Sequence, residues 1–160
     1  MFYLFGSAGA AATDTVSPSV TVGSTLSLTL EDGSNVEWGS KPAGTTQTGT
    51  IQAVIGANTE WNLTVCATAG YSGTNELTDG SHRISASYFK YTSAAGDPAP
   101  PNGTGVTTAT PFDGSNETPV WTTGTAYGGC KVAITYNLEI PANQSPGAYT
   151  ATHTYTLTSS

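Results

Sequence analysis

Residues 130–158 read CKVAITYNLEIPANQSPGAYTATHTYTLT, and their two-residue rhythm decides the fold. In the first half, Val132, Ile134, Tyr136, Leu138 and Ile140 fall on one side, with mostly polar residues between them. In the second half, Tyr149, Ala151, His153, Tyr155 and Leu157 alternate with Thr150, Thr152, Thr154, Thr156 and Thr158. Side chains of an extended strand point to opposite faces in turn, so each half reads as a strand with one buried face. The Pro141–Gly147 stretch between them is rich in turn formers and reverses the chain.

The same rhythm recurs upstream. Leu26, Leu28 and Leu30 alternate with hydroxyl residues, and the turn sequence Glu31–Asn35 follows. Val36 and Trp38 suggest a short strand, ended by a Gly/Pro stretch. Thr45–Ile55 is another strand, and Trp61, Leu63 and Val65 mark one more. Arg83–Thr92 reads as a strand whose inner face the sequence leaves open. Ser93–Thr118, rich in Pro, Gly, Thr and Asn, reads as a long loop, and Val120–Trp121 begins a further strand. No stretch has helical periodicity. About eight to ten short strands between turns predict an all-β fold, an antiparallel β-sandwich of immunoglobulin-like or jelly-roll-like form. The expected organisation is an N-terminal extension over residues 1–15 and one sandwich domain over 16–160.

Of the 160 residues only 9% are charged, and the formal net charge is −7. The four cations, Lys41, Arg83, Lys90 and Lys131, are scattered. Nucleic acid needs clustered Lys and Arg, so it is not an expected partner. No apolar run is long enough to span a bilayer. Hydroxyl residues in place of charge suit a β-rich protein that is secreted or held at the cell surface.

Catalytic motifs are missing. There is no G-x-S-x-G elbow, CxxC, HExxH or P-loop. His153 lies in an apolar strand row and reads as a core or edge histidine rather than a base. The expectation is a non-enzyme without cofactor or metal. Asp79, Asp97 and Asp113 sit in loops where calcium ligands can converge, but their spacing fits turns. Trp38, Trp61 and Trp121 offer stacking faces for sugar rings, although their apolar surroundings favour core packing.

Two further features bear on the surface. The only cysteines, Cys66 and Cys130, flank strand-like runs, and a disulfide between them is expected in an oxidising compartment. The alternative is two buried thiols; by alternation Cys130 shares a face with Val132 and Ile134, whereas Cys66 lies opposite Leu63 and Val65. Four N-glycosylation sequons begin at Asn62, Asn102, Asn116 and Asn143.

The N-terminus poses a separate problem. Met1, Phe2, Tyr3, Leu4 and Phe5 form a continuous apolar run, followed by the small residues Gly6–Ala12. The small residues resemble a signal cleavage site, but no basic region precedes them, so the segment reads as part of the mature molecule. It is too short to cross a membrane. It either folds back on its own domain or enters a neighbour. A sandwich lacking an edge strand offers a neighbour both an apolar groove and unpaired backbone groups.

Residues 136–158, YNLEIPANQSPGAYTATHTYTLT, resemble the closing strands of prokaryotic secreted β-sandwich subunits. Residues 36–65, VEWGSKPAGTTQTGTIQAVIGANTEWNLTV, are similar to the same surface domains. The nearest group is the donor-strand-linked extracellular filaments: archaeal threads, bundling pili and archaic bacterial pilins. The resemblance implies a structural, extracellular cell-surface subunit that forms a homopolymer of identical subunits by donor-strand complementation, with host or biofilm surfaces as further partners. The donor is placed at Met1–Phe5, with Val16, Val20 and Val22 as the other choice. Two readings stand beside it: a monomeric carbohydrate-binding or adhesive surface domain, and a laterally assembled matrix component.

Overall fold

The computed structural model describes residues 16–31, 35–69, 76–125 and 127–160, with Thr68 and Ala69 by backbone only. Its strands are β1 (Leu26–Glu31), β2 (Thr46–Ala57), β3 (Trp61–Ala69), β4 (Leu77–Thr78), β5 (Arg83–Ile84), β6 (Phe89–Ala95), β7 (Thr104–Gly105), β8 (Thr110–Pro111), β9 (Thr118–Gly124), β10 (Tyr127–Glu139) and β11 (Thr152–Ser159). One sheet has the order β1-β2-β10-β6-β8 and the other β11-β3-β9-β7; β4 and β5 form a small separate hairpin. All pairings are antiparallel, and the two main sheets pack face to face as an all-β sandwich.

The inward faces follow the alternation. Ile51, Ala53 and Ile55 of β2 lie opposite Ile134, Val132 and Cys130 of β10. Trp61, Leu63 and Val65 of β3 lie opposite Ser159, Leu157 and Tyr155 of β11. The long β2–β10 ladder keeps its inward set in phase because the register shifts between Gly128 and Cys130, at Gly129 with φ 86°. Glycine tolerates that conformation, and the extra residue returns Cys130 to the core face.

Three local expectations change. Residues 35–39 are not a strand: Val36 and Trp38 belong to a strap that crosses the end of the sheet. Val36 packs where a side chain at Gly49 would stand, and the Trp38 indole N–H donates to the Thr48 carbonyl at 3.0 Å. The Arg83–Thr92 run is broken by a 3₁₀ turn at Ala86–Tyr88, after which Phe89, Tyr91 and Ser93 face inward. The Ser93–Thr118 excursion holds β7 and β8, and it drives Phe112 into the core at 1% exposure. Ser93 ties this excursion down, accepting from Val106 N–H and donating to the Val120 carbonyl.

The two cysteines correct the expected disulfide. Both are free. Cys130 points into the core, while Cys66 shares the outer face of β3 with Asn62 and Thr64 and is half-buried. Two sulfurs on opposite faces of different sheets cannot meet the short Cβ separation a disulfide requires. Burial pushes the Cys130 thiol pKa up.

Candidate functional site

A cleft between the sheets follows from unequal strand lengths. β2 has 12 residues, but β1 has 6 and pairs only with Gln52–Ala57. The Thr46–Ile51 half of β2 therefore has no ladder partner on the β1 side among the described residues. The strap over residues 35–44 runs there instead, without strand pairing. A cleft of about 800 Å³ opens between the sheets at this end. Its walls are Leu30 of β1, Ile51 of β2, Phe89 of β6, Tyr136 and Leu138 of β10, and His153 and Tyr155 of β11. The strap contributes Val36 and Trp38, and the connection before β11 contributes Tyr149 and Ala151.

Its floor is aromatic with one polar network. His153 stacks on Phe112 at 3.8 Å between ring centroids and lies 5.3 Å from Phe89. Its Nδ1 lies 3.2 Å from the Tyr136 hydroxyl, which lies 2.6 Å from the Tyr155 hydroxyl. His153 Nε2 is buried and has no hydrogen-bond partner among the described residues. Burial holds the imidazole neutral by pulling its pKa down to about 4, and pushes the Tyr136 phenol up to about 12. This is a core-type histidine rather than a base poised near neutrality.

An arm leaves from the other pole. The β2–β3 turn brings Asn58 beside the root of β1. Thr25 N–H donates to Asn58 Oδ1 at 2.7 Å, and Asn58 Nδ2 donates to the Gly23 carbonyl at 2.8 Å. Asn58 N–H also donates to the Thr25 carbonyl at 3.3 Å. These bonds carry the arm past the end of β2, away from the cleft. Beyond Gly23 the arm stands in solvent: Val16, Val20 and Val22 are 88%, 87% and 78% exposed.

The remaining sequence-derived positions are dispersed. Met1, Phe2, Tyr3, Leu4 and Phe5 lie outside the described residues. Trp61 and Trp121 are buried, so Trp38 alone of the three borders an open surface. Asp79 and Asp113 close their own turns: Asp79 Oδ1 accepts from His82 and Ser81 N–H, and Asp113 Oδ1 accepts from Ser115 and Asn116 N–H. The His82 backbone N–H, followed by that of Ser81, draws the Asp79 carboxyl down to about 2. Among the described residues no group of three His, Cys, Asp or Glu is placed to hold a metal, and no helix is long and apolar enough to cross a membrane. Asn102, Asn116 and Asn143 are exposed. Asn62 uses both ends of its amide, donating to Ser160 Oγ and accepting from Thr123 N–H, each at 2.9 Å.

Sequence reasoning missed Phe112, a core residue that packs against the cleft-lining Phe89, Tyr136 and His153; its signal was a lone aromatic between Pro111 and Asp113 in an otherwise polar excursion. Comparison with protein-family models gives no match, and comparison with curated proteins gives none either, so the cleft and the arm are interpreted on their own geometry.

Proposed function

We propose that this protein is the structural subunit of an extracellular cell-surface filament, built head-to-tail by inserting the N-terminal segment of one copy into the apolar cleft of the next. The observation that carries this reading is the placement of arm and cleft at opposite poles of one sandwich. A donor site and an acceptor site at opposite ends give a heterologous contact, which does not close and so extends as a fibre. An incoming strand supplies the apolar side chains the cleft lacks and pairs with backbone at the sheet edge. Each fully buried valine contributes roughly 1.5–3 kcal/mol, so several together offset much of the association cost.

Low charge, hydroxyl-rich outer faces and three exposed sequons suit a surface location. The sugar-binding alternative has less support, since two of the three tryptophans are buried. Electron microscopy of the full chain beside a chain lacking residues 1–23 tests the reading. Fibres from the first and folded monomers from the second are expected. Monomers from both, or fibres from both, would contradict it.

A further inference from the structure

The arm carries a pattern that specifies how it would lie. From Val16 to Val22 the sequence is Val-Ser-Pro-Ser-Val-Thr-Val. Drawn out as a strand, Val16, Pro18, Val20 and Val22 share one face, and Ser17, Ser19 and Thr21 share the other. The segment has no charge. Such a strand suits a position with a core on one side and water on the other. The run at Met1–Phe5 differs: it is apolar at every position, so a strand made of it would leave large apolar groups on its outer face.

Proline adds a directional constraint. In a strand, the N–H and C=O of one residue point to the same edge, and the next residue's point to the opposite edge. Pro18 has no N–H, so a proline strand is tolerated only where that edge is free. Pro18 has the parity of the three valines. The edge that pairs must then be the one served by Ser17, Ser19 and Thr21. Among the described residues the Thr46–Ile51 half of β2 has no ladder partner on the β1 side, which leaves that edge open beside the cleft. The Asn58 bonds direct the arm past its own β2–β3 turn, so the open edge it meets belongs to a second copy.

We infer that the docking segment is Val16–Val22, laid into the cleft of a second copy as an added edge strand, with Val16, Pro18, Val20 and Val22 facing inward and the ladder formed by the main chain of Ser17, Ser19 and Thr21. This rests on the head-to-tail reading above, and it specifies the partner segment and its orientation.

The test moves the proline by one place in the full chain. Assembly is followed by light scattering against concentration, with thermal unfolding of each variant as a check on the fold. Ser19→Pro removes a ladder N–H and is expected to raise the concentration needed for assembly by about tenfold or more. Ser19→Ala, which keeps the N–H, and Pro18→Ala, which keeps an apolar group facing in, are expected to assemble within about threefold of the unaltered chain. Val20→Asp is expected to abolish assembly while the subunit stays folded. Replacing Met1–Phe5 by serines is expected to leave assembly in place. Assembly of Ser19→Pro at the unaltered concentration would overturn the inference. Loss of assembly only on replacing Met1–Phe5 would also overturn it, while leaving the head-to-tail reading standing. An unaltered chain that never assembles would overturn both.

Discussion

The two halves of the sandwich are built from the same sheets and end differently. In the half next to the β2–β3 turn, β1 covers β2, and Ala53, Ile55, Leu63, Val65, Cys130 and Val132 meet with no measurable exposure. In the other half β1 has stopped at Glu31, the strap replaces it without a ladder, and Trp38, Ile140, Tyr149 and Tyr155 remain half-buried around an open cleft. Closure thus depends on strand length as much as on hydrophobicity. Among the described residues, a six-residue strand beside a twelve-residue one leaves half a sheet edge without its partner.

The contrast is broken most strongly through tryptophan. Trp61 is fully buried in the closed half, with its indole N–H donating to the Thr125 carbonyl at 2.9 Å. Trp61→Ala is expected to cost about 3–5 kcal/mol in denaturant unfolding. Trp38→Ala, in the open half, is expected to cost only about 1–2 kcal/mol, because its side chain is only partly buried. Equal losses at the two sites would mean that the halves are equally consolidated.

Acid sharpens the same comparison and ranks between those two losses. His153 has a folded pKa of about 4 against 6.5 for the free side chain, because burial disfavours the imidazolium. The unfolded chain therefore binds more protons between those values. The stability from this group is complete above pH 6.5, falls as the pH drops, and is fully lost below pH 4. The loss over this window is about 3 kcal/mol. In His153→Phe that part of the pH dependence is expected to vanish, as read from urea unfolding at a series of pH values.

The smallest effect concerns the thiols. Because Cys66 and Cys130 are free and lie on different faces, a reducing agent is expected to leave the thermal midpoint unchanged. A lowered midpoint would show that the two sheets are cross-linked after all.

The strands were legible because each carries its own record of the two sides it faces. Leu26–Leu30, Trp61–Val65 and Val132–Leu138 each reveal an inner face from alternation alone. His153 was legible as a core-type histidine because it stands in an apolar row. What escaped depends on distant neighbours. Val36 and Trp38 alternate like a strand, yet they pack as a strap because Gly49 leaves Val36 a place and Thr48 offers Trp38 a carbonyl. Phe112 escaped because its burial is set by β6, β10 and His153 rather than by its neighbours in sequence. The cleft escaped because no local pattern records where β1 stops relative to β2. The Val16–Val22 pattern was in the sequence throughout, and the solvent exposure of those valines together with the pole they leave from gives it meaning.

The most direct test places a photoreactive diazirine side chain at Val20 and mixes that protein with an isotope-labelled unaltered copy before illumination. Mass spectrometry then identifies the residue and the copy that captured it. The account predicts attachment to cleft residues such as Leu30, Leu138 or Ile140 of the labelled copy. Attachment confined to the same chain, or to solvent alone, would contradict it.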